Sequence, residues 1–261
     1  MVAHRPLPPS TPDPATIAER GVLETTVAWV SEVLEAVDLG PRERLLDLAD
    51  GTGLVGRAGV GLVQPGGTAS VVRAEALEAC AARLPYPDAS FDVALSLHTL
   101  EAFPDRGRVL AELRRVLSPG GRLALAVWGP IGANPVFAAL ADSLRHRGEA
   151  FADAAVHWLL SLSHPDDVRA LLAEADFDLL ASHRRTVPVL ASMDDLFRWL
   201  LETFPIGAVV RTMPPDERAE IASDLGRALG RGSGQAVPFT TDLHVARVID
   251  RERRGRAVGG S

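Results

Sequence analysis

Proton transfer near neutral pH calls for a histidine. Of the 7 histidines in this chain of 261 residues, His98 is the one that follows directly on a strand-like apolar run, Phe91 to Leu97. At the end of a strand its ring should face a cleft, where it can take a proton. The plainer reading is a histidine hydrogen-bonded where a strand stops. His157, His164, His183 and His244 show no metal-ligand spacing and read as surface or strand positions. Glu101 reads as a solvated helix residue. Cys80 is the only cysteine, so no disulfide can form within the chain. It reads as a small buried apolar side chain rather than a reactive thiol. A second chemical feature is the turn Gly51-Thr52-Gly53. Glycines there let a ligand approach the backbone closely, beside a helix N-terminus. Asp50 is a candidate N-cap for that helix. Trp128, Trp158, Trp199, Phe197 and Phe204 read as core or lid aromatics, some of which would line an apolar pocket.

These residues need elements to hold them. Arg44 to Leu48 is a short apolar strand, and the glycine turn after it opens a helix that runs to about Val63, where Gln64-Pro65-Gly66-Gly67 breaks it. Phe91 to Leu97 and Arg122 to Trp128 are further buried strands. Between them Asp105 to Leu117 is amphipathic at helical spacing and is closed by Ser118-Pro119-Gly120-Gly121. Strands alternating with helices predict an α/β fold, a mostly parallel sheet with helices on both faces. Ala15 to Val37 predicts one or two helices ahead of the first strand. Later, helices are expected at 135–147, 165–175, 193–204 and 215–229, and strands at 177–189 and 241–248.

Two segments carry a resemblance. One is Leu45-Leu46-Asp47-Leu48-Ala49-Asp50-Gly51-Thr52-Gly53. The other is Leu84-Pro85-Tyr86-Pro87-Asp88-Ala89-Ser90-Phe91-Asp92, continued by Arg115-Val116-Leu117-Ser118-Pro119-Gly120-Gly121. Together they resemble the class I S-adenosylmethionine-dependent methyltransferases, in their small-molecule branch, over most of the chain from about Leu39 to Val248. The resemblance implies a Rossmann-like fold and S-adenosylmethionine as cofactor. It implies Asp47, Gly51, Thr52 and Gly53 as cofactor-binding residues, with Ala49 where a first glycine usually stands, and Ser96 near the end of the next central strand. Leu97 and His98 match positions near the transferred methyl group, and the turn from Leu84 to Asp88 matches one that shapes the fold. A structural turn without cofactor contact is an equal reading of the Asp47 and glycine segment.

Three departures from the family follow. Too few residues separate Gly53 from Leu84 for the usual two strands and two helices, since a strand-helix-strand unit alone needs about 30 residues. One strand-helix unit is therefore expected to be missing, leaving 68–73 or 71–77 as the sole intervening strand. The family's ribose-holding acid goes with that unit, and Glu75 or Glu78 would have to replace it. Cys80, beside Ala81, stands where an Asp usually accepts from the adenine amino group, and a thiol is a poor acceptor. Asp50 would also set a carboxylate near the cofactor's own. Binding is thus expected to be weak or lost.

The expected organisation is a flexible arm at 1–14, a Rossmann-like core with N-terminal helices at 15–189, a helical lid insertion at 190–235, a last core strand at 236–250 and a disordered tail at 251–261. Trp199 and Phe204 of the insertion, with Leu97 and His98, are the expected substrate residues. The net charge of −7 argues against nucleic acid or an anionic membrane as the main partner. The expected ligand is a hydrophobic small molecule, with a homodimer as an option. A cytoplasmic location is expected, since the N-terminus lacks a secretory pattern and no apolar run approaches the roughly 20 residues of a membrane span. Two functions remain open: methyl transfer to a hydrophobic small molecule, as in secondary metabolism, or a fold that no longer transfers methyl and serves as a cofactor-independent catalyst, such as a cyclase, or as a non-catalytic partner subunit.

Overall fold

The computed structural model describes residues 29–49, 59–60, 62–73, 83–190, 192–204, 206–230 and 236–249. The proline-rich arm, the glycine turn, Glu75 to Ala81 and the C-terminal tail lie outside the described residues.

Short apolar runs form the middle of one six-stranded sheet. The strands are β1 (Arg44–Ala49), β2 (Thr68–Arg73), β3 (Phe91–Leu97), β4 (Leu117–Trp128), β5 (Phe177–Leu190) and β6 (Ala236–Val248), in the spatial order β2-β1-β3-β4-β6-β5. The first four run parallel, while β6 runs antiparallel to both β4 and β5. Parallel strands are covered on both faces, which is why β1, β3 and β4 are apolar nearly throughout. Among the described residues β2 is the only strand between β1 and β3, in line with the short spacing.

Alternation along the strands assigns the faces. Leu46, Leu48, Ala94, Leu123 and Leu125 pack with α2 (Arg106–Val116) and with α5 (Pro165–Glu174), through Leu110, Leu113, Val168 and Leu172. Leu45, Val93, Leu95, Ala124 and Ala126 point the other way, onto Val30, Val33 and Leu34 of α1 (residues 29–36). Fully burying one such leucine is worth about 2–3 kcal/mol, so the two layers dominate stability. A third cluster lies beyond the sheet's end. There α3 (Pro135–His146), α4 (Ala150–Leu159), α6 (Met193–Thr203), α7 (Ile206–Val210) and α8 (Pro215–Ala228) gather around Trp128, Phe137, Phe204 and Phe239.

Three expectations need correction. The stop after α2 does not delay the strand: β4 begins at once at Leu117, and a register shift between Phe91 and Val93 absorbs the prolyl-glycine turn. The helix α4 was not legible, because its sequence is apolar around much of its circumference and leaves Phe151 and Trp158 exposed. Trp158 is accordingly neither core nor lid; its ring carries the Arg106 guanidinium at 4.4 Å. No helix among the described residues is long and apolar enough to cross a membrane.

Candidate functional site

The sheet order creates a switch point. From β1 the chain goes to β2 on one side, and from β3 it goes to β4 on the other. In open α/β sheets the usual ligand position is a crevice between the C-terminal ends of the strands at such a point, here β1 and β3. Asp47 and Ala49 lie at the end of β1, and Ser96, Leu97 and His98 at the end of β3. Asp47 is 1% exposed and pairs in register with Leu95, so it shares the α1 face with Leu97. Ala49 is the last residue of β1. Ser96 is also buried but points to the opposite, α2 face, beside Leu48 and Leu125. Its hydroxyl has no hydrogen-bond partner among the described residues. Gly51, Thr52, Gly53, Glu75, Cys80 and Ala81 lie outside the described residues, as do Asp50 and Glu78.

His98 is held by its neighbours on every side. Its N–H continues the parallel ladder by donating to the Ala126 carbonyl at 2.8 Å, and the Thr99 hydroxyl donates back to the Leu97 carbonyl at 3.0 Å. These bonds turn the chain sharply: His98 has φ +51°, a left-handed conformation that a side chain with a Cβ adopts at a cost of about 1–2 kcal/mol. The imidazole stacks on the Trp128 indole at 3.8 Å between centroids and 13° between planes, and Trp29 meets it edge-on at 5.2 Å. Its Nε2 lies 3.2 Å from Thr241 Oγ1. Its Nδ1 lies 3.9 Å from Glu101 Oε1.

Glu101 is not the solvated helix residue that the sequence suggested. The chain enters a 3₁₀ turn, Leu100–Ala102, directly after His98, and three residues per turn bring positions 98 and 101 to one side. The carboxyl is fully buried, and its Oε1 accepts the Trp128 backbone N–H at 3.0 Å. Arg106 donates to the Glu101 carbonyl at 3.1 Å. Burial lowers the Arg106 pKa from its ordinary value, and the Glu101 charge pulls it back up. His244, on the α2 face of β6, is a buried strand residue rather than a surface one. Burial pushes its pKa down, with Asp242 opposing, Arg169 adding and Glu101 opposing.

Unpartnered polar atoms gather here. Among the described residues His98 Nδ1, Glu101 Oε2, and the indole nitrogens of Trp29 and Trp128 are buried without a hydrogen-bond partner. Such groups are rare in a folded protein, and each asks for a reason. The substrate residues expected from the sequence come together only in part. Phe204 packs on Trp128 at 5.9 Å, one ring away from His98, and Trp199 packs on Phe204 at 5.0 Å and Phe239 at 5.2 Å. Trp29 and Thr241 gave no sequence signal, because their role depends on which strand ends lie side by side. Thr241 is the register partner of Trp128 across β4 and β6.

Of the residues that the resemblance implies for S-adenosylmethionine, Asp47, Ala49 and Ser96 are described; the buried Asp47 on β1 is an acid that could hold such a cofactor. No group of His, Cys, Asp and Glu suited to a metal ion occurs among the described residues.

Residues 62–125 match the methyltransferase domain family. The 27-O-demethylrifamycin SV methyltransferase of Amycolatopsis mediterranei is 60% identical over 45 residues, 17% of this chain and 16% of that protein. The methyltransferase GfsG of Streptomyces halstedii is 32% identical over 188 residues, 65% of this chain and 64% of that one. The matches thus span less than two thirds of either relative's length. Among solved structures, a candidate methyltransferase from Bacillus halodurans superposes with a TM-score of 0.52 at 17% identity, over 85% of this chain and 99% of that one.

Proposed function

We propose that this chain is a class I S-adenosylmethionine-dependent methyltransferase, a reading supported by the match of residues 62–125 to the methyltransferase domain family and by the likeness to GfsG, and that it transfers a methyl group to a hydroxyl of a hydrophobic small molecule in secondary metabolism. The observation that carries the reading is the position of His98: a buried imidazole directly after β3, among the aromatic rings of Trp128 and Trp29, with a hydroxyl on one nitrogen and a carboxylate near the other. S-adenosylmethionine, when bound, supplies an electrophilic methyl on a sulfonium. The chain's own task is to align an acceptor, keep water out and remove a proton. Trp29, Trp128 and Phe204 supply the apolar wall. His98 takes the acceptor's hydroxyl proton, and the Glu101 carboxylate offsets the charge that the imidazolium gains.

Calorimetric titration with S-adenosylhomocysteine tests this reading. Binding weaker than micromolar is expected, because Cys80 and the short stretch from Gly53 to Leu84 leave the usual adenine and ribose acceptors without counterparts. Hydrogen bonds to charged groups contribute about 1.5–3 kcal/mol each, so two losses weaken binding by powers of ten. No heat of binding at any attainable concentration would sink methyl transfer. It would favour a second reading, a cofactor-independent catalyst or a partner subunit on the same fold.

A further inference from the structure

We propose that Glu101 is a positioning residue that fixes His98 in a single tautomer. In it the hydrogen sits on Nδ1, facing Glu101, and the free lone pair on Nε2 is held by the Thr241 hydroxyl. Nε2 is then the atom that receives the acceptor's proton. This rests on the methyl-transfer reading only for the use of that lone pair; the tautomer itself follows from geometry.

A neutral imidazole carries one hydrogen, on either nitrogen, and its neighbours decide which. On the Nε2 side the neighbour is Thr241 Oγ1 at 3.2 Å, which can donate or accept and so favours neither form. On the Nδ1 side it is Glu101 Oε1 at 3.9 Å, which only accepts when ionised. An Nδ1 lone pair there would face an acceptor oxygen in a buried setting, where charges interact strongly. An Nδ1–H faces it favourably. The distance is longer than a hydrogen bond, as catalytic contacts often are before a ligand closes the site. The carboxyl cannot swing away freely, because Oε1 holds the Trp128 backbone N–H. The Trp128 ring meanwhile stacks on the imidazole, so one residue clamps both members of the pair. The other charged groups near Glu101 leave this arrangement intact. Arg106 binds its backbone carbonyl, and His244, which feels its charge, stands on the α2 face with Nδ1 against Ser182 Oγ at 2.8 Å.

The consequence is a directed proton path. An acceptor hydroxyl that displaces the Thr241 hydroxyl gives its proton to Nε2 as its oxygen gains the methyl group. The ring becomes an imidazolium with both hydrogens placed, one toward the product and one toward Glu101.

The test needs no acceptor. The full chain is labelled with ¹⁵N-histidine and long-range ¹H–¹⁵N spectra are recorded near neutral pH, with His98 assigned from His98→Gln. The parent is expected to show His98 with Nδ1 protonated and Nε2 bare. Glu101→Gln keeps an acceptor for the Trp128 N–H but removes the charge, and should shift the tautomer ratio about tenfold toward Nε2–H, a change of 1.4 kcal/mol. Thr241→Val removes a neighbour that serves either form and should leave the Nδ1–H form predominant; its loss there would mean that the hydroxyl, not the carboxylate, sets the tautomer, and would overturn the proposal. A parent ring protonated on Nε2, or on both nitrogens, overturns the proposal. So does a ratio that Glu101→Gln leaves unchanged. Should Glu101→Gln not fold, the parent spectrum and Thr241→Val decide. Loss of S-adenosylhomocysteine binding with the Nδ1–H tautomer present would fault the methyl-transfer reading alone, and binding with an Nε2–H ring would fault this inference alone.

Discussion

The partly exposed ion pairs at one end of the sheet and the buried polar groups at the other are treated in opposite ways. At the N-terminal ends of the strands every guanidinium nitrogen of two arginines is used. Arg44 donates to both Asp92 oxygens, the Ser118 hydroxyl and the Ala89 carbonyl. Arg115 donates to both Glu112 oxygens, to Asp88 and to the carbonyls of Leu84 and Tyr86. At the C-terminal ends, around His98, four buried polar atoms have no partner among the described residues. Saturated polar networks hold a fold in place, while unsatisfied ones in a native protein mark positions kept for something other than stability. The motif residues that make the sequence recognisable, from Leu84 to Asp92, belong to the saturated end. They are a brace, not a site.

The largest expected effect tests the brace. Arg115→Ala removes five donated hydrogen bonds and leaves the Glu112 and Asp88 carboxylates without their cation. Since each charged hydrogen bond contributes about 1.5–3 kcal/mol and losses within one network do not add, a destabilisation of roughly 3 kcal/mol is expected in denaturant unfolding. Glu101→Gln, at the other end, should lower stability by less, because the Trp128 N–H keeps an acceptor. If Glu101→Gln proves the more damaging, the contrast between brace and site fails.

Next in size is a separation of pH windows. The Asp92 carboxyl is held below its ordinary range by hydrogen bonds from Arg44, and Glu112 by hydrogen bonds from Arg115, with burial opposing in both. A depressed carboxylate stabilises the fold above its unfolded pKa, about 4, and that contribution is lost as pH falls through the folded value. His244 is depressed by burial, so the unfolded chain takes up a proton that the folded chain resists. Its contribution is complete above about 6.5, the unfolded value, and is lost as pH falls below it. Stability should therefore decline in two stages on acidification. His244→Gln should remove the upper stage alone, and Asp92→Asn should reduce the lower. A single decline that neither variant alters would mean that these groups do not titrate as their surroundings require.

What the sequence made legible divides along the same line. Apolar runs and the turn from Leu84 to Asp88 are local, and their strands, the α2 helix with its Asp105 N-cap, and the shortened stretch before β3 could be read directly. The site was legible only at His98, because strand-end placement is also local. Thr241 and Trp128 meet His98 through the antiparallel register of β4 and β6, and Trp29 reaches it from a helix 69 residues earlier in the chain. Glu101 looked solvated because a helix of ordinary pitch would have turned it outward; the tighter 3₁₀ turn folds it in. None of this is encoded in spacing along a single element.

The smallest expected effect asks whether the site end stores backbone strain. At φ +51° the His98 backbone lies where glycine is at ease and any residue with a Cβ is not. Replacing the ring by Ala or by Gly removes the same stacking contacts with Trp128, so the difference between His98→Ala and His98→Gly isolates the backbone. Gly gains about 1–2 kcal/mol of relief there and gives back about 0.4–1 kcal/mol through the greater freedom of its unfolded chain. His98→Gly should then be the more stable of the two by about 0.5–1 kcal/mol. Thr99, the next residue, has φ −113° and serves as the internal control. There the order should reverse, with Thr99→Ala more stable than Thr99→Gly. If Ala is preferred at both positions, the turn relaxes once the imidazole is gone. The strain would then be imposed by the ring's packing between Trp29 and Trp128 rather than by the ladder bond to Ala126, and the aromatic pair would be what aims His98 into the crevice.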